Sequence, residues 1–276
     1  MTYKTILVQL DLDCSAASRL IFAWNLASRF KANLIAFAAV RPFPVAPTDF
    51  QGLGAADAIR KCVEETERQL QTIEREVQTI TQGSNRASWR GLIGDPTNLL
   101  TLHARAADLL VLGTPDADAR FGGRYRTVDS GNVIVTAGRP VLFAPIGHAL
   151  LKAERILIAW KDTREARRSV VDAMPFLVDA EEVTVAMVDE NDVTATSESI
   201  ADVVRFLLAH GVKARGETLA RGSSEVADTL TKIAGDMRAD LIVSGGYGHS
   251  RLHEWTFGGV TRALLKQTSF SRLMSN

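Results

Sequence analysis

Short apolar blocks that do not alternate recur along this chain, and behind each lies a stretch in which apolar residues return every three or four positions. TILVQL at 5–10, ending at Asp11, is followed by Leu20, Trp24, Ala27 and Phe30 at helical spacing, and then by NLIAFAAV at 33–40. Apolar runs without alternation are what strands buried on both faces look like. The opening therefore reads as strand, helix, strand of a parallel sheet.

Segment 41–54 holds three prolines and two glycines and is incompatible with regular structure. It leads into a long helix in which Ile59, Val63, Leu70, Ile73, Val77 and Ile80 keep three-and-four spacing among charged neighbours. That stripe reads as a helix packed on a sheet, with a coiled-coil seam as the alternative. The pattern then predicts a third strand near 86–92, a helix opened by GDPTN at 94–98 and a fourth strand, DLLVLG, ending at Gly113. A polar loop, SGNVIVTAG at 130–138 and a closing strand PVLFAP at 140–145 complete the unit.

The same order then restarts. ERILIAWKDTREARRSVVDAMPFL at 154–177 repeats the opening strand and helix, EEVTVAMV the second strand and SESIADVVRFLLAHG the second helix. VKARGETLARG is a third strand, and SSEVADTLTKIAGDM a third helix with Ser223 or Ser224 as its cap. DLIVSGG answers DLLVLGT, and SRLMS at 271–275 answers PVLFA. First strands lie 150 residues apart and fourth strands 132, so the first half carries 18 extra residues, placed in the proline-rich loop and its longer helix. The chain is an internal duplication. Its fold class is α/β: two tandem doubly wound, Rossmann-like, five-stranded parallel sheets with helices on both faces, over residues 1–147 and 152–276.

Composition narrows the function. Apolar content of 46% and charged content of 23% over 276 residues are those of a soluble globular protein. Thirty-two basic residues balance 32 acidic ones, which argues against a nucleic-acid partner. The N-terminus has no signal-peptide pattern, and the longest apolar run, at 34–40, is too short to span a bilayer, so a cytoplasmic location is expected. Cys14 and Cys62 lack metal-ligand spacing and read as ordinary thiols.

The chemistry concentrates in DLIVSGGYGHSRLHEWTFGGVTRALL at 240–265. Ligands of doubly wound sheets bind beyond the carboxyl ends of the strands, where Gly113 and Gly245 lie. Gly245, Gly246 and Gly248 follow an apolar strand, and Gly258 and Gly259 precede a helical segment, so backbone N–H groups there can cradle phosphate. A tight turn with no ligand is the plainer alternative.

Gly245, two residues, Gly248, nine residues, Gly258 resembles the nucleotide-binding loop of the universal stress protein family in its tandem form, and the resemblance covers nearly the whole chain. It implies an adenine-nucleotide alpha hydrolase-like fold binding ATP, or ADP or AMP, with Mg²⁺ as a possible companion. Gly259 stands where the family has a hydroxyl residue, and Thr261 is similar to its second hydroxyl. Lys161, followed by Asp162, takes the place of the family's carboxylate beside the adenosine, so Asp162 or the backbone would serve there and Lys161 could meet a phosphate. The first half keeps Asp11 at that place. Its loop, however, has Asp116 at the second glycine position and implies a degenerate site, with Gly122, Gly123, Arg124 and Arg126 as surface loop.

His249 and Arg251 would supply polar and charged contacts. His249, having no partner identifiable in sequence, is assigned no catalytic role. Trp160 and Trp255 are either core or stacking residues. The expected activity is binding and switching towards an unidentified protein partner. Slow hydrolysis or self-phosphorylation through His249 or Ser250 is one alternative, and a nucleotide-free scaffold or dimerisation module is the other. The resemblance further implies a pseudo-dimer within the chain, with PVLFAP and SRLMS pairing across the halves; association of two whole chains is left open.

Overall fold

The computed structural model describes residues 2–12, 16–42, 54–114, 127–188, 193–219, 226–247, 259–266 and 269–276. In the first half the order is β1 (Thr5–Gln9), α1 (Ala16–Phe30), β2 (Asn33–Val40), α2 (Gly54–Ile80), β3 (Ala87–Ile93), α3 (Pro96–His103), β4 (Leu109–Gly113), α4 (Ser130–Thr136) and β5 (Val141–Ala144). The second half runs β6 (Arg155–Ala159), α5 (Arg164–Leu177), β7 (Glu182–Val188), α6 (Val193–Ala209), β8 (Ala214–Leu219), α7 (Val226–Asp236), β9 (Leu241–Gly245), α8 (Gly259–Lys266) and β10 (Ser271–Ser275). Ser223, Ser224, Cys14 and the loop from Asp116 to Arg126 lie outside the described residues.

Each half is a parallel five-stranded set, and the two merge into one ten-stranded sheet of order β3-β2-β1-β4-β5-β10-β9-β6-β7-β8. The join is antiparallel: Phe143 faces Arg272, Leu142 faces Leu273 and Val141 faces Met274. The expected pairing of the two closing strands is present. Helices α1, α2, α5 and α6 cover one face and α3, α4, α7 and α8 the other, each over its own apolar core. Burial on both faces is why the strands read as unbroken apolar runs; β2 is buried at every position after Asn33.

The duplication extends to individual hydrogen bonds. Asp108 Oδ2 accepts from the amides of Lys4 and Thr5, and Asp240 Oδ2 accepts from that of Glu154, so an aspartate before the fourth strand ties down the start of the first in both halves. Leu10 N–H donates to Phe37 at 2.8 Å, as Trp160 N–H does to Ala186 at 2.8 Å.

An aromatic cluster also joins the halves. The Tyr3 ring meets Phe30 edge-on at 5.1 Å and lies 5.5 Å from Phe176, while its hydroxyl donates to the Asp172 carbonyl at 2.6 Å. Asn25 and Arg29 of α1 donate to carbonyls of the connecting segment at Ala149 and Lys152. In α2 only part of the predicted stripe is used. Leu70, Ile73 and Val77 are buried, whereas Ile59 is 51% exposed. A helix of 27 residues is about 40 Å long and the eight-residue β2 beneath it about 26 Å, so the first turns overrun the sheet.

Candidate functional site

Strand order reverses between β1 and β4 in one half and between β6 and β9 in the other, and each reversal opens a crevice at the carboxyl ends. At the second crevice Lys161 and Asp162 follow β6, and Gly245 and Gly246 end β9. Asp162 is engaged by Arg167, whose Nε donates to Oδ1 at 3.0 Å. Thr163 caps α5 by accepting from the Ala166 amide at 3.3 Å. Trp160 belongs to the core: it is 6% exposed and its indole N–H donates to Ser199 at 3.0 Å.

The first two glycines have close-packing roles. A Cβ on Gly245 would stand 2.7 Å from the Ala166 nitrogen and 2.9 Å from the Glu165 carbonyl carbon, so the first turn of α5 rests directly on this strand end. A Cβ on Gly246 would lie 2.6 Å from Ile134 Cγ2 of α4. The Gly246 amide, expected from the sequence to face phosphate, instead donates to the Ser275 carbonyl at 2.8 Å. That corrects its role: the amide is spent in closing β10 onto the turn. Asn276 Nδ2 donates to the carbonyls of Gly246 and Tyr247 at 2.8 and 2.9 Å, which fixes the turn further.

Tyr247 takes φ of +55°, a region a bulky side chain enters only when its surroundings hold it. Its ring is buried along α4, and the hydroxyl would be 2.6 Å from a Cβ at Gly131. The beginning of the second half's glycine loop is thus anchored in the first half. Gly259 opens α8, and Thr261 is 8% exposed in its first turn. Gly248, His249, Arg251 and Gly258, with Ser250 and Trp255, lie outside the described residues. The structure therefore brings Lys161, Asp162, Gly245 and Gly246 to adjoining strand ends and places Gly259 and Thr261 on the helix that leads into β10.

Sequence reasoning passed over Glu165, a carboxylate buried to 1% exposure in the first turn of α5. One of its oxygens meets Arg164 at 3.2 Å; the other, with the hydroxyls of Ser244 and Ser275, is buried without a hydrogen-bond partner among the described residues. No three His, Cys, Asp or Glu side chains among the described residues converge to hold a metal ion.

At the first crevice the equivalent ground is filled. Arg19 Nη1 donates to the Gln9 carbonyl at 2.9 Å, to Gln9 Oε1 at 2.8 Å and to Asp11 Oδ2 at 2.8 Å. Gln9 Nε2 donates to the other Asp11 oxygen at 2.8 Å. The guanidinium covers Gly113: Nη2 and Cζ occupy the space a Cβ there would take, and Nε is 2.8 Å from it. Beside Asp11 lies a cleft of about 390 Å³ walled by Leu12, Ala16 and Ile73 and by Glu65, Arg68 and Glu76 of α2.

Arg272 was also passed over, although a charge inside the apolar closing strand SRLMS is a signal. It has no exposed surface. Nη1 donates to the Leu264 carbonyl at 2.9 Å, Nη2 donates to Thr114 Oγ1 at 2.6 Å, and the group lies 5.4 Å from the Phe143 ring centre. Burial lowers its pKa to about 10. The positive charge closes the carbonyl end of α8, where the helix dipole favours a cation, and ties that helix to the end of β4.

No family model and no curated protein matches the chain. Solved structures do. A universal stress protein from Archaeoglobus fulgidus DSM 4304 superposes with a TM-score of 0.70 at 15% identity, covering 99% of this chain and 96% of that one. The fold is that of a tandem universal stress protein. A functionally unknown protein from Pseudomonas aeruginosa PAO1 superposes with a TM-score of 0.59 at 15% identity over 99% of this chain and 92% of the other. Both superpositions run nearly from end to end of each chain, so both halves are matched. Identities this low carry the architecture and leave the roles of individual residues to the geometry described above.

Proposed function

We propose that the chain is a universal stress protein that binds an adenine nucleotide, ATP or its ADP or AMP products, in its second half and acts as a switch towards a protein partner in the cytoplasm. The observation that carries this reading is the placement of Gly245 at the carboxyl end of β9, in the crevice where strand order reverses, with α8 opening at Gly259 behind it. The Gly245, Gly248, Gly258 spacing spans the same interval. Halves 1–147 and 152–276 then have unequal tasks. Amides of Gly248, Gly258 and Gly259 and the Thr261 hydroxyl would hold phosphates, with His249 and Arg251 as polar and charged contacts and Mg²⁺ as a counter-ion. Lys161 would add a point charge, and Asp162 would exchange Arg167 for the nucleoside. Gly246 contributes close approach, not a donor.

Occupancy shifts a switch only through different affinity for its two states, and the loop between β9 and α8 is where those states would differ. Calorimetry with ATP and AMP on the Gly248→Asp variant tests the site: the account predicts at least a tenfold loss in affinity, because the carboxylate repels phosphate. A folded variant that keeps its affinity contradicts it. A second reading, a nucleotide-free scaffold, is favoured by the donation of the Gly246 amide to Ser275 and by the seat of α5 on Gly245. A wild-type chain that takes up no nucleotide would favour the scaffold.

A further inference from the structure

The two crevices differ in one respect that the loop sequences do not reveal. Counting from β1 and β6, which start 150 residues apart, Arg19 of α1 corresponds to Ser169 of α5, and Ala16 to Ala166. Ser169 is 1% exposed and its hydroxyl turns back to the Ala166 carbonyl at 2.9 Å, out of the crevice. Arg19 instead reaches across β1 to β4, where a glycine at 113 leaves room for a flat cation. A guanidinium filling the switch-point crevice of a doubly wound sheet stands where such folds place ligands.

We infer that Arg19 is a built-in occupant of the first half's ligand seat, and that displacing it converts that half into a binding site for an uncharged, nucleoside-sized molecule. Three features define the ligand class. The cleft beside Asp11, about 390 Å³, is within the range of small-molecule pockets and shares Asp11 with the seat. Its walls pair apolar Leu12, Ala16 and Ile73 with the carboxylates of Asp11, Glu65 and Glu76 and with the guanidinium of Arg68, which is paired to Glu65 at 2.9 Å; the acidic balance that remains suits a flat ring bearing hydroxyl and amine donors and opposes a polyphosphate. Asp11 and Gln9 now satisfy Arg19 Nη1; with Arg19 gone, the same oxygens accept from a ligand. The seat is self-satisfied in the chain as it stands, so the first half is closed by an internal contact of its own.

The test uses the full chain with Arg19→Ala and two probes, methylguanidinium and adenosine. Methylguanidinium at millimolar concentration should raise the melting temperature of Arg19→Ala saturably by a few degrees and leave the wild type unmoved, since only the variant has an empty guanidinium seat. Adenosine should bind Arg19→Ala with one equivalent more than the wild type. That difference is independent of whether the second half binds nucleotide, so failure of this inference and failure of the nucleotide reading give separate results. Adding Gly113→Val should refill the seat and abolish both gains. A folded Arg19→Ala chain with neither the methylguanidinium shift nor the extra adenosine overturns the inference. Should Arg19→Ala fail to fold even with methylguanidinium present, Arg19→Gln carries the adenosine titration with the same expected and overturning results.

Discussion

Arg272 gives the sharpest test of how the two halves are held together. Replacing it with alanine removes the Nη1 donor at 2.9 Å from the Leu264 carbonyl and the Nη2 donor at 2.6 Å from Thr114. Hydrogen bonds from a charged donor contribute about 1.5–3 kcal/mol each, so two are worth roughly 3–6 kcal/mol gross. Against this stands the burial that lowers the pKa from the usual guanidinium range to about 10, which corresponds to roughly 3 kcal/mol. The intact group is therefore close to break-even, yet truncation is costly because it leaves buried carbonyls unpartnered and opens a cavity beneath Phe143. The expected cost of Arg272→Ala is about 4 kcal/mol. Arg272→Met keeps the volume and removes the buried charge, losing only the polar contacts, and should cost about 1–2 kcal/mol. Urea unfolding at constant m-value reads both as shifts of the midpoint. An alanine cost under about 1 kcal/mol, or one equal to that of methionine, would refute the reasoning.

Further outcomes follow from the same geometry. Gly245→Ala should destabilise more than Gly246→Ala, because its Cβ meets helix backbone at 2.7 Å while that of Gly246 meets a side-chain methyl at 2.6 Å; parallel urea curves decide. His103 has its pKa lowered by burial and then by Arg90 and Arg105, so the unfolded chain takes up the proton first as pH falls below 6.5. Stability should drop there, and His103→Gln should flatten the decline in melting temperature between pH 6.5 and 5. Tyr3 and Arg272 act in opposite senses in alkali. Burial, then Asp172 and Asp108, raise the Tyr3 pKa well above 10, so the native chain keeps a proton that the unfolded chain loses and its contribution falls as pH climbs past 10. The lowered value of Arg272 makes its contribution rise from about pH 10 upward. Relative to wild type, Tyr3→Phe should lose the fall and Arg272→Met the rise in melting temperature over that range.

Much of the architecture was legible because parallel strands covered on both faces leave unbroken apolar runs, and because a duplicated chain writes each strand twice. DLLVLG and DLIVSGG mark β4 and β9 before any coordinate is known, and the closing strands PVLFA and SRLMS meet as expected. What the sequence concealed are contacts made across elements. Nothing in SRLIFAW distinguishes Arg19 from a solvated helix residue; only the distance from α1 to Gly113 shows that it fills a crevice. Gly246 reads as a phosphate donor until its amide is found on Ser275, a residue 29 positions further along. The long stripe of α2 was read correctly as helix, but periodicity says nothing about where the underlying sheet stops, so Ile59 is exposed. Glycine spacing records that close approach is needed, and the approaching group can be a ligand, a helix turn or a neighbouring side chain.

The central claim is that the second half holds an adenine nucleotide. Gently purified wild-type chain, treated with acid and assayed for released small molecules by chromatography with mass spectrometry, tests it most directly. About one equivalent of ATP, ADP or AMP per chain, lost in Gly248→Asp, is the predicted result. An empty chain that shows no thermal shift with millimolar Mg-ATP would contradict the claim and leave Gly245, Gly248 and Gly258 as the glycines of a packed turn.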